Sequence, residues 1–220
     1  SDGISRPSTH CDQKLEEFRV RNFLAYISLR QGKLESAIKE YEDVFAESQS
    51  ELDEEEQQHL TNLDLGFAYL QVGKYVHALK RLKHELEENE KNLSRAKGER
   101  VLVIHTRKIG CLYNLAQAAQ ALQNFSQAES YYHQVLAEAR ILHDPAYILR
   151  AYNGLGNVER STNRWKEALA SYGKALEVAL AIKDYSTASV CAQNRGALLW
   201  RHDQLSAAID DLGDSLKYAE

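Results

Sequence analysis

One frame of large, small and polar positions runs through this chain five times. It occupies NFLAYISLRQGKLESAIKEYEDV (22–44), LDLGFAYLQVGKYVHALKRLKHE (63–85), LYNLAQAAQALQNFSQAESYYHQVL (112–136), YNGLGNVERSTNRWKEALASYGKAL (152–176) and AQNRGALLWRHDQLSAAIDDLGDSL (192–216). Each copy opens with a large residue and then a small one: Leu24-Ala25, Leu65-Gly66, Leu115-Ala116, Leu155-Gly156 and, less regularly, Arg195-Gly196. Seven residues on stands a turn residue: Gly32, Gly73, Gln123, Asn163 or Asp203. Two further comes a large apolar side chain (Leu34, Tyr75, Phe125, Trp165, Leu205), and three beyond that always an alanine: Ala37, Ala78, Ala128, Ala168 or Ala208. Tyr41, Leu82, Tyr132, Tyr172 and Leu212 close the frame four residues later.

That order predicts pairs of helices. A small residue lets the two helices of a hairpin approach closely, and the large residue fills the gap beside it; the alanine does the same in the second helix. A lone hairpin cannot bury its apolar face, so neighbouring hairpins must stack. Only two prolines, Pro7 and Pro145, and 11 glycines interrupt 220 residues, as a mainly helical chain requires. The run VLVIH at 101–105 could suggest a strand but sits inside a longer helical pattern, and we read it as helix. Asp144-Pro145 places a capping carboxylate before a proline at the first helical position, and Asp184 stands at the equivalent place 40 residues on. SQSELDEEEQQ (48–58) predicts a loop followed by acids at a helix start, where they oppose the dipole.

The frame resembles that of the tetratricopeptide repeat family, over about residues 15–219. The resemblance implies an all-α fold, a right-handed α-solenoid of about five hairpins. The steps between turn residues are 41, 50, 40 and 40, above the family's usual ~34, so extended helices are expected. The long step predicts that the second helix of repeat two and the first of repeat three protrude together, with Lys97-Gly98 near the tip. The expected organisation is a flexible tail over 1–11 and a repeat domain over 12–220, with repeats near 15–48, 57–96, 100–143, 145–183 and 185–219. Repeats of 40 residues occur in polarity and spindle-orientation adaptors. The segment 150–184 is similar to theirs at Arg150, Tyr152, Leu155, Gly156 and Asn157, while Gly154 replaces their asparagine.

Charge narrows the partners. The net charge is −5, with 27 basic and 32 acidic residues spread along the chain. Nucleic acid and anionic membrane both call for a concentrated basic surface, so both are disfavoured. No apolar run approaches the ~20 residues of a membrane span. Three widely spaced cysteines, Cys11, Cys111 and Cys191, suit a reducing compartment, and a cytoplasmic or nuclear protein is expected. Cys111 and Cys191 are expected as small buried hydrophobes. HExxH, paired CxxC, GxxxxGK[ST] and GxSxG are all missing. The reading is a non-enzymatic chain with no cofactor and no metal.

In solenoids of the resembled family the first helix of each hairpin lines a concave groove. On that frame the groove carries Asn22, Tyr26, Asp64, Phe67, Asn114, Gln117, Arg150, Asn153, Asn157, Arg160, Asn194 and Trp200. Amides offer both donor and acceptor, so they can hold the backbone of an extended peptide, and Arg150 and Arg160 could pair with its acids. The family's clamp for C-terminal carboxylates needs Lys and Asn in the first repeat; Asn22 and Tyr26 stand there instead. The expected role is a scaffold that takes a peptide or helical segment of another protein. Two alternatives stand beside it: an RNA-binding protein of the interferon-induced tetratricopeptide type, and a module that self-associates through its terminal repeats.

Overall fold

The computed structural model describes residues 10–52 and 63–219, and the side chains among them except those of 10–12, 63 and 64. Residues 1–9 of the tail expected over 1–11 and the acidic stretch from 53 lie outside the described residues, and the first helix already begins at His10. Ten helices are described: α1 (His10–Arg30), α2 (Leu34–Glu51), α3 (Leu63–Gln71), α4 (Tyr75–Leu93), α5 (Glu99–Ala121), α6 (Phe125–Leu142), α7 (Pro145–Ser161), α8 (Trp165–Ala181), α9 (Tyr185–Arg201) and α10 (Leu205–Ala219). The fold is an all-α helical repeat. The loop expected from residue 48 is corrected: α2 continues to Glu51, and Ser48 and Ser50 turn their hydroxyls back onto the carbonyls of Phe45 and Glu47. The segment 101–105 is helical, within α5.

The chain forms two compact units, 1–85 and 86–220, divided within α4. In the first, α1 and α2 pair across the turn at Gly32, whose φ is +77°. Phe18, Val44 and Leu52 form its apolar centre, with Leu15 packed against them. Ala25 and Ala37 are fully enclosed between the helices, but Leu24, which the frame expects as gap filler, is exposed. Arg21 crosses from α1 to α2, donating from Nε to Glu40 at 2.7 Å and from Nη1 to Glu47 at 2.5 Å. Between α3 and α4, a Cβ at Gly66 would lie 2.6 Å from Leu82 Cγ, so the small position and the last position of the frame face each other.

The second unit repeats that contact. A Cβ at Gly156 would lie 2.7 Å from Tyr172 Cδ1, and one at Gly196 would lie 2.7 Å from Leu212 Cγ. Helices α6 to α10 begin at Phe125, Pro145, Trp165, Tyr185 and Leu205, one every 20 residues. Two residues before each start stands a left-handed residue: Gln123 (φ 58°), His143 (50°), Asn163 (59°), Lys183 (60°) and Asp203 (58°). The following amide then closes the preceding helix: Asn124, Asp144, Arg164, Asp184 and Gln204 donate to Ala119, Ala139, Glu159, Ala179 and Leu199 at 2.8–3.0 Å. Asn124, Asp144 and Asp184 also cap the next helix with their side chains, Asp144 accepting from Ala146 at 2.9 Å and Asp184 from Thr187 at 3.0 Å.

Long helices flank the 50-residue step. α4 has 19 residues and α5 has 23, against 17 for α7 and α9. Gly98, at the start of α5, has φ +61°. Lower on α5, within the second unit, Glu138 of α6 is buried between Lys108, whose Nζ lies at 2.9 Å, and His105, whose Nδ1 lies at 2.6 Å. Lys108 also lies 3.6 Å from Glu90. Interior positions recur as strictly: Cys111, Ala151 and Cys191, each 40 residues from the last, are all fully buried. Burial pushes the Cys191 thiol up to about 11, which suits a packing role.

Candidate functional site

Polar side chains on the first helices of the second unit fall into two sets. One is taken up by the fold. Tyr172 of α8 donates to Asn157 Oδ1 at 2.7 Å, so the amide carbonyl of Asn157 serves its own hairpin. Tyr132 donates likewise to Gln120 at 2.9 Å. Asn114 is only 8% exposed. Forty residues on, its position is Gly154, which faces Tyr132 of the preceding hairpin.

The other set is open. Gln117, Arg150, Arg160 and Trp200 are exposed, Trp200 at 64%, and Asn153 and Asn194 are half-buried. Arg150 stands over two rings, 5.3 Å from the Tyr147 centroid and 6.0 Å from that of Tyr113. Those rings meet edge to face at 6.0 Å, and Tyr113 meets Tyr132 at 6.3 Å. Gln117 donates to the Tyr113 hydroxyl at 3.2 Å. Burial raises both phenols above their ordinary value, opposed by Arg150, so both remain neutral donors at pH 7. Close by in sequence, Asn153 Oδ1 is enclosed without a hydrogen-bond partner. The structure thus joins Gln117 and Arg150 through Tyr113 and Tyr147, two residues that the sequence frame does not single out. The available signal was positional: Tyr113 lies 40 residues before Asn153.

Among the groove residues expected in the first unit, Tyr26 is exposed, and Asn22 and Phe67 are half-buried. The side chain of Asp64 lies outside the described ones. Among the described residues no helix is long and apolar enough to cross a membrane.

A family model described as tetratricopeptide repeat matches residues 108–181 and 147–220, together just over half of the chain. The chain belongs to the tetratricopeptide repeat family. No curated protein matches it. Solved structures share the fold. The apo form of RapI superposes with a TM-score of 0.79 at 14% identity, over 92% of this chain and 70% of that one. A Rap protein complexed with competence and sporulation factor gives 0.68 at 17%, over 92% of this chain. This chain spans about half of that protein's length, 54%. BtubC from P. vanneervenii gives 0.72 at 20%, over 100% of this chain and 92% of that one. A tetratricopeptide array supplies the open set with rigid, regularly spaced helices.

Proposed function

We propose that this chain is a protein-interaction scaffold whose first-helix face in the second unit takes an extended or helical segment of another protein. The observation that carries the reading is the cluster of Tyr113, Gln117, Tyr147 and Arg150. Its two rings are fixed by packing, its cation is exposed, and its amide is half-committed. Aromatic surface that is already ordered binds at a low entropic cost, and Arg150 with Arg160 gives the face a preference for acidic side chains. The 40-residue repeat, similar to that of polarity and spindle-orientation adaptors, supports a segment of protein over nucleic acid, as does the net charge of −5. A fold neighbour whose structure holds competence and sporulation factor supports a bound partner in general terms.

The test is selection of random peptides displayed on phage against the purified chain, with counter-binding to a Gln117→Ala, Arg150→Ala, Arg160→Ala variant. All three side chains are exposed, so the variant should keep the parent's helical circular dichroism. Selected peptides should be enriched in Asp and Glu and lose at least tenfold in affinity for the variant. Peptides that bind parent and variant equally would sink the reading.

A further inference from the structure

Equivalent positions on the first helices α7 and α9 stand 40 residues apart, the interval between their left-handed turns at Asn163 and Asp203. The open face of α7 carries Arg150 near its start and Arg160 near its end. The same positions on α9 are Val190 and Trp200. Both are exposed, Val190 at 45%, and exposed Ala197 lies between them on the same face. The two helices are packed neighbours: Leu149 and Tyr152 of α7 share an apolar cluster with Ala188, Cys191 and Ala192 of α9. One helix thus presents two cations, and the next presents two apolar side chains at matching levels.

The α9 face is open because of where it points along the repeat. Its equivalents on earlier helices have a further hairpin after them and are open as well: Arg150 for Val190, Arg160 for Trp200 and Gln117 for Ala197 are all exposed. Trp200 does not stand there for the core, since the preceding repeats meet the same position with the polar side chains of Gln120 and Arg160. Tryptophan and arginine are the residues that most often carry the energy of a protein contact. Charge on the two helices is one-sided. The acid of α7, Glu159, is buried, and α9 has none, so neither helix sets an exposed carboxylate beside the arginines. In a chain of net charge −5 this face is locally cationic.

We propose that the face selects an extended segment with a two-part pattern. An acidic residue lies over Arg150 or Arg160 of α7, and a bulky apolar residue lies over Val190 or Trp200 of α9. Axes of packed helices stand about 10 Å apart, which an extended chain at about 3.3 Å per residue spans in about three residues. The inference rests on the binding face proposed above and adds the residue pattern that the face reads.

Sequencing the phage-displayed peptides that the purified whole chain selects tests this. Asp or Glu should recur with Leu, Ile, Phe or Trp about two to four positions away, always in the same order. Val190→Ser with Trp200→Ala, both at exposed positions, should keep the helical circular dichroism and weaken a selected peptide about tenfold. The same peptide with its apolar residue replaced by glycine should bind parent and variant alike. Arg150→Glu with Arg160→Glu should reverse the selection, returning Lys or Arg in place of the acid and keeping the apolar residue. Peptides that need the arginines but lack the paired apolar residue overturn this inference and leave the binding face standing. So do peptides that bind the Val190→Ser, Trp200→Ala variant as tightly as the parent. Peptides indifferent to the arginines, or a selection that returns none, overturn that reading and this inference with it.

Discussion

The ring of Tyr132 fills the space that a side chain at Gly154 would need. A Cβ there would fall too close to three ring atoms, the farthest of them, Cε2, at 2.8 Å. This contact joins α6 of one hairpin to α7 of the next, and it explains why glycine stands where the similar adaptor repeats have asparagine. Gly154→Ala should destabilise the second unit by about 1–3 kcal/mol, the usual cost of overpacking, despite alanine's better helix propensity. Gly154→Asn should cost more. Urea unfolding measures both, and a double-mutant cycle with Tyr132→Leu should recover part of the loss.

Lys183 holds a left-handed conformation, φ 60°, at a position where the frame has no glycine. Such a backbone costs an L-residue about 1 kcal/mol or more, and glycine adopts it freely. Lys183→Gly should move the urea midpoint upward, and Lys183→Val, branched at Cβ, should move it downward. Equal midpoints for the two variants would show that this turn stores no strain.

Asp184 caps α9, and its hydrogen bonds from Thr187 hold its carboxyl below the usual range. Asp184→Ala should cost about 1 kcal/mol at pH 7, the ordinary value for a lost cap. A depressed carboxyl contributes its stability above the unfolded pKa and loses it as pH falls through the folded one. The gap between parent and variant should therefore close below about pH 4.

Glu159 has the opposite sign. Burial raises its carboxyl above the ordinary value, only partly offset by the hydrogen bond from Ser171 and by Arg164, and its Oε2 has no hydrogen-bond partner. A raised carboxyl stabilises the fold below the unfolded pKa, and this is lost as pH rises through the folded value. Glu159→Gln should consequently melt higher than the parent at pH 7. Thermal scans across pH should show the advantage shrinking towards about pH 4.

Much of this fold was legible because the helix hairpin imposes distances. The five turn residues Gly32, Gly73, Gln123, Asn163 and Asp203 all take positive φ, and the small residues Gly66, Gly156 and Gly196 all meet the closing position of their own frame. His143 and Lys183 take the same backbone without any residue preference to betray it, so the half-steps between hairpins were hidden. At the candidate site, Arg150, Arg160 and Trp200 stand out because the packing frame has no use for them. Asn114 looks identical to a surface amide in sequence, yet it is buried, and nothing in its local spacing marks that. Tyr113 and Tyr147 were passed over for the same reason: ring-to-ring contacts join different helices and leave no local spacing. The acids from 53 onward lie outside the described residues.

The even spacing of helix starts from Phe125 to Leu205 bears on how such a chain can change length. Each seam is closed by the same carbonyl–amide bond and stands at the same phase of the buried pattern. An excision of residues 145–184 would bring Asp144, a cap, directly before Tyr185, a helix start, and leave every downstream residue facing as it did. Gene duplication or loss in blocks of two helices therefore meets no structural barrier at these seams, whereas any other increment would rotate the interior outward.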